Sequence, residues 1–361
     1  MNKVLLTAVA LTFATSALAQ RSFNAGGAVF ETHISSADFL AAMSSVDPEA
    51  AAPYFVRATS DSLIIVNDPS SGSLIDGAVI EFDLDGTNPV IIASESDLIS
   101  SGSLNNGGDS DDLDYEGFVV DGDLLYFLDR QASDRETFVL DTTTGTVTKI
   151  NLNLAGNSYL GISPDGSTLY TVSVSGFGGD GFIYSIPSNT VEGSWTQFSD
   201  AIDGPANLHV LPNGNLLIFN EDAFDSVNSL VQDGFYSVDA GTGAETLLYD
   251  TNSAPFTAPA GPDALAIDAE GNIYVADFIG GSNTIYVLPA SGGLIELATR
   301  AEYEALTGGG VDLFQPGAME ARIVDDNSVE VYFADRNAGQ VLRLTVPTSV
   351  GGANVSNWDM Y

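Results

Sequence analysis

A hairpin-sized unit recurs along the chain, and no other feature limits the possible folds as strongly. Its clearest copy is Gly261-Pro262-Asp263-Ala264-Leu265-Ala266-Ile267-Asp268-Ala269-Glu270-Gly271-Asn272-Ile273-Tyr274-Val275-Ala276-Asp277. It reads as a strand over Ala264–Ile267, a tight Asp/Gly turn, and a second strand over Ile273–Ala276 that ends on an acid. Related copies are Glu116–Gly122 with Leu124–Asp129, Leu160–Gly166 with Leu169–Val172, Leu208–Gly214 with Leu216–Asn220, and Met319–Asp326 with Val331–Asp335. A more degenerate copy is Phe55–Asp61 with Leu63–Asp68. Hairpins spaced roughly 44–61 residues apart are the signature of a blade array, in which each unit buries its faces against its neighbours. The count predicts an all-β, six-bladed propeller of four-stranded antiparallel blades, with five or seven blades as the alternatives that the degenerate first copy leaves open.

A second repeat places the crossings between blades. Ala28–Thr32, Val90–Ala93 and Leu294–Ala298 read as outer strands, each followed by a short helix. The helices open on Ser35/Asp38, Ser94/Asp97 and Thr299/Glu302, where the hydroxyl caps an orphan N–H and the acid complements the helix dipole. The C-terminal unit supplies only three strands, at about Met319–Val324, Val329–Asp335 and Gln340–Val346. The N-terminal segment Gly27–Thr32 looks like a fourth strand without its first three. Pairing the two closes the ring and removes an exposed sheet edge.

Met1–Ala19 has the form of a secretory leader: Lys3, a largely apolar run over Val4–Ser16, and the small-x-small Ala17-Leu18-Ala19. The expected division is therefore a leader (1–19), one propeller (20–347) and a polar tail (348–361). The mature protein is expected to be secreted, either extracellular or periplasmic, without membrane insertion and as a monomer. There is no cysteine, which excludes thiol catalysis and cysteine metal sites, so buried apolar surface must hold the fold. The chain carries 49 acids against 10 bases, and losing Lys3 with the leader brings the charge to −40. Such a surface repels nucleic acid and favours divalent cations or a salty medium.

In a propeller the first strand of each blade begins, and the second ends, at one rim of the central channel. Glu116, Ser158, Ala206-Asn207, Asp263, Gly317-Ala318 and Tyr54 open the first strands. Asp68, Asp129, Asn220-Glu221, Asp277 and Asp335 end the second strands, offset by Arg130 and Arg336. Oxygen ligands without cysteine suit a hard cation, calcium or another divalent ion. The same acids also serve as turn caps that bind backbone N–H groups. Asp112, Asp114, Glu116, Gly117 and Asp123 fall at positions 1, 3, 5, 6 and 12 of an EF-hand-like pattern, although Phe118–Val120 reads as strand. Nucleophilic hydrolysis finds little support: there is no Gly-x-Ser-x-Gly elbow, and His33 and His209 read as satisfied structural residues. Gly176–Gly181 opens no helix, so it is not read as a phosphate cradle.

The stretch Gly261–Asp277 resembles a blade of the NHL-repeat and senescence-marker-protein/gluconolactonase superfamily of six-bladed propellers. That resemblance implies that Asp263 is a channel metal ligand and catalytic base, with Ala264 in place of the usual glycine. It further implies Glu116 as the family's metal-binding Glu, with Asn207 and Ser158 near its Asn positions. Asp114–Gly117 with Leu125–Arg130 is similar to the Glu-Gly blade of secreted phytase-like, esterase-like propellers, which use acidic rims and calcium. Two functions follow. One is a calcium-dependent binding or scaffold protein for an extracellular protein or glycan. The other is a metal-dependent hydrolase acting on a lactone, ester or phosphoester in the central channel.

Overall fold

The structure is a computed structural model that describes residues 21–44, 51–67, 77–94, 97–98, 115–129, 136–150, 157–174, 180–198, 202–203, 205–220, 234–250, 264–277, 283–308 and 318–350. The hairpins form six antiparallel sheets arranged as a six-bladed propeller. Blade 1 runs outward through Pro53–Ala58, Ser62–Asn67, Ala78–Asp83 and Val90–Ser94. Blade 2 consists of Tyr115–Asp121, Leu124–Asp129, Glu136–Asp141 and Thr146–Lys149. Blade 3 consists of Asn157–Ile162, Thr168–Val174, Asp180–Pro187 and an outer edge split between Thr196–Gln197 and Ile202–Asp203. Blade 4 comprises Pro205–Val210, Leu216–Asn220, Gly234–Val238 and Glu245–Asp250. Blade 5 comprises Ala264–Ile267, Ile273–Asp277, Thr284–Leu288 and Ile295–Thr299.

Blade 6 holds Met319–Asp325, Ser328–Asp335 and Gln340–Val350, and takes its fourth strand, Val29–Ile34, from the other end of the chain. The predicted closure is therefore present. It is reinforced by Arg21–Phe23, which pairs with Thr348–Val350. Residues 348–350, read from sequence as the start of a tail, belong to this sheet. Arg21 fastens the seam: Nε and Nη2 fork onto Glu270 at 3.0 and 2.9 Å, and Nη1 reaches the Asp325 carbonyl and the Thr348 hydroxyl.

The second strands read as unbroken apolar runs because neighbouring blades cover both their faces. Ser62–Asn67 and Ile273–Asp277 are buried along their whole length. Six apolar clusters lie between neighbouring blades, one for each gap in the ring. Phe55 and Val66 meet Phe118 and Phe127 between blades 1 and 2. Tyr126 meets Leu160 and Leu169 between blades 2 and 3, and Val172 meets Leu208 and Ile218 between blades 3 and 4. Phe219 and Phe235 meet Leu265 and Val275 between blades 4 and 5. Tyr274 and Val287 meet Val331 and Phe333 between blades 5 and 6. Tyr332 and Val341 meet Val56 and Leu63 between blades 6 and 1, which completes the circle.

Among the described residues two helices bridge blades, α1 (Ser36–Ala42) and α2 (Arg300–Thr307). Both begin as the sequence indicates, with Ser35 accepting from the Asp38 N–H and Thr299 forming a reciprocal box with Glu302. Ser94 and Asp97 make the same reciprocal pair. The leader (1–19) lies outside the described residues, and no described helix is long and apolar enough to cross a membrane.

Candidate functional site

Asp263, Asp112 and Asp114 lie outside the described residues, as do Asp68, Arg130 and Glu221; the second strand of blade 1 itself ends on Asn67. Glu116 and Asn207 are placed by their backbones. Glu116 sits where the first strand of blade 2 slips register, between Tyr115 opposite Asp129 and Gly117 opposite Leu128. The same slip recurs at Tyr54, Tyr159 and Ala206 in blades 1, 3 and 4. A bulge leaves one residue out of the ladder and re-aims it. Asn207 is back in the ladder opposite Phe219, level with Ala264 opposite Ala276.

The EF-hand-like pattern does not hold. Tyr115–Asp121 is a strand paired with Leu124–Asp129, whereas a twelve-residue calcium loop must curl through those positions. The Glu-Gly pair has a packing reason of its own. A Cβ on Gly117 would lie 2.8 Å from the Leu160 Cβ and 2.9 Å from its backbone nitrogen, so glycine lets blades 2 and 3 approach.

Many described acids are engaged in holding the backbone. Asp335, fully buried, accepts the Tyr303 hydroxyl at 2.6 Å and the Ala338 N–H at 2.8 Å. On the opposite face, Asp165 accepts the Ser163 and Ser167 hydroxyls at 2.6 and 2.8 Å and the Ser167 N–H at 3.1 Å. Those bonds, the Ser163 one foremost, take its pKa down to about 2. Asp268 accepts the N–H groups of Glu270 and Asn272, the Asn272 amide and the Tyr274 hydroxyl, at 2.8 to 3.0 Å. Burial nonetheless raises its pKa, because desolvation outweighs those bonds. Among the described residues no three His, Asp or Glu side chains gather as a metal-binding group.

A different cluster occupies the channel. First strands touch in succession from blade 5 through blades 6, 1, 2 and 3 to blade 4, so they surround the axis. Arg57 pairs across its hairpin with Ile64, Val119 with Tyr126, Gly161 with Tyr170, His209 with Leu217, Ala266 with Tyr274 and Glu320 with Tyr332. These six residues stand at one level, and three of them are polar. Arg57 donates to the main-chain carbonyls of Val56 and Phe118, each at 2.8 Å, and lies 3.6 Å from the Glu320 carboxylate. One side chain thus ties blades 6, 1 and 2 together. Burial pushes Glu320 up to about 7 against the pull of Arg57, and lowers Arg57 itself. His209 belongs to blade 4, across the ring. Burial first, and the charge of Arg57 second, take it down to about 3, so it is neutral at ordinary pH.

The His209 Nε2 is enclosed without a partner, as is that of His33, so neither histidine is fully satisfied as the sequence led one to expect. Arg57 and Glu320 also line a cleft of about 770 Å³ that opens on the turn face beside Thr59, Ser60, Asp123 and Thr142. A fixed cation, a neutral imidazole and a carboxyl titrating near neutrality form a set that can hold or exchange a proton.

No protein-family model and no curated protein matches the sequence. Solved structures resemble it in fold. TolB from Acinetobacter baumannii is 16% identical, with 88% of this chain and 70% of that chain covered and a TM-score of 0.50. A gluconolactonase from Xanthomonas campestris is 13% identical over 79% of this chain and 82% of that chain, with a TM-score of 0.46. A luciferin-regenerating enzyme is 14% identical over 91% and 96%, with a TM-score of 0.49. The likeness is one of fold alone.

Arg57 and Glu320 sit in no motif. The signal that finds them is a column: with the six hairpins aligned by rung, one inner-strand position reads Arg, Val, Gly, His, Ala, Glu.

Proposed function

We propose that the chain is an exported, monomeric binding propeller that takes calcium or another divalent cation at its acidic rim and engages an extracellular protein or glycan there. The observation that carries this reading is the bulge at Glu116. Of the four bulged rim positions among the described residues, only this one bears an acid. Glu116, Asp263 and Asn207 would supply oxygen donors of the kind hard cations take. The leader-like N-terminus and the excess of acids support export. Calorimetric titration of calcium into the chelator-stripped protein tests it. Saturable heat with a raised melting temperature, lost in Glu116→Gln or Asp263→Asn, is the expected result. The absence of heat would leave the acidity as a solubility device.

Glu320, held near neutrality beside a cleft, favours a second reading: a metal-dependent lactonase, esterase or phosphoesterase working in the channel. A rim cation would supply Lewis acidity toward a substrate oxygen. Of the chain's own groups, Asp263 would take the proton from the attacking water. Lactones, esters and phosphoesters screened with calcium or zinc separate the two readings. Turnover abolished by Asp263→Ala establishes the enzyme, and a wild type without turnover leaves the binding protein.

A further inference from the structure

We propose that the rim corner between blades 6 and 1 is an oxyanion site anchored by Arg336, taking the carboxylate or phosphate group of a small ligand. Arg336 directly follows the second strand of blade 6, and Tyr54 is the bulged residue that opens blade 1. The guanidinium carbon stands 5.0 Å from the centre of the Tyr54 ring, a cation–π contact that fixes the guanidinium plane. Its Nη2 is enclosed and meets no acceptor.

Every other described arginine has a carboxylate partner: Arg21 has Glu270, Arg57 has Glu320, Arg300 has Glu304, and Arg322 and Arg343 share Glu330. In a chain of 49 acids and 10 bases, Arg336 is the exception among the described arginines. The adjacent Asp335 is engaged by Tyr303 and Ala338, and it forms no ion pair with Arg336. A second orphan ends the neighbouring strand at the same rim. The Asn67 oxygen accepts the Ala52 N–H at 2.7 Å, which fixes the amide, and its Nδ2 is enclosed without an acceptor. Both orphans at this corner are donors, so the missing group is an acceptor. Beside an arginine that stays charged at any ordinary pH, the fitting acceptor is an anion.

This deepens the reading of the rim as a binding face, but the arginine's chemistry does not depend on the cation. The test therefore uses the full chain with chelator present. Inorganic phosphate and acetate are titrated separately at constant ionic strength, and tyrosine fluorescence and calorimetry follow binding. Saturable binding of one or both anions is expected, weakened at least about tenfold in Arg336→Gln through loss of a charge-assisted bond. Tyr54→Leu, which keeps the arginine but frees its plane, is expected to weaken binding less; it decides the matter should the first variant not fold. The stronger of the two anions identifies the ligand's head group. Wild-type isotherms that do not saturate, or that are matched by the variants, overturn the site. Neither result alters the outcome of the calcium titration.

Discussion

Asp165 on the turn face and Glu320 in the channel are both acids on short hairpins, yet their protons behave in opposite ways. Asp165 stands in open water with three hydrogen-bond donors around it, and its pKa falls to about 2. Glu320 stands among first strands with a cation 3.6 Å away, and its pKa rises to about 7. Local donors govern the first, and loss of water outweighs a neighbouring charge in the second. An excess of acids therefore says little about which carboxylates are free to act.

Removing the channel cation is the hardest test of that contrast. Arg57→Met leaves the Phe118 carbonyl and Glu320 without their partner, and the loss is expected to be about 3 kcal/mol in urea unfolding. A loss below about 1 kcal/mol would place the channel with the solvated surface. Asp268 is the intermediate case, a turn acid that is buried. Asp268→Ala strands four donors and is expected to cost about 2 kcal/mol by the same measurement.

The pH dependence sharpens the contrast further. Glu320 binds its proton more tightly folded, at about 7 against 4.5, so its contribution is full below pH 4.5 and lost as pH rises towards 7. His209 is the reverse, at about 3 against 6.5: its contribution is full above pH 6.5 and lost as pH falls towards 3. The two slopes oppose each other between pH 4.5 and 6.5. Relative to wild type, Glu320→Gln should make stability climb more steeply with pH in that interval, and His209→Gln should flatten the climb. Urea midpoints at several pH values read both. The smallest effect belongs to Asp165→Asn, whose amide oxygen still accepts from the turn. Its melting temperature should shift least of the set.

The blades were legible because their determinants are local. Asp/Gly turns, apolar second strands and capped crossings each lie within a few residues of one another, and the spare strand at Gly27–Thr32 announced its own missing partners. The channel was not legible, because bulges at Tyr54, Glu116, Tyr159 and Ala206 put four of the first strands out of step when counted from their beginnings. Arg57, His209 and Glu320 fall into one column only when counted against their cross-strand partners. Asp335 was read as a rim ligand, but its partner comes from α2, an element that a reading of hairpin ends does not consult. Gly117 was read beside Glu116 as part of a functional pair, whereas its lack of a side chain answers to Leu160 of the next blade.

The sheet that joins Val29–Ile34 to Gln340–Val350 works like the buckle of a belt. Five blades can form as soon as their own hairpins exist, but the disc stays open until the final strand is made. Cutting the belt elsewhere, with the old termini joined, would move the buckle to another blade and change the order of assembly while leaving the finished disc the same.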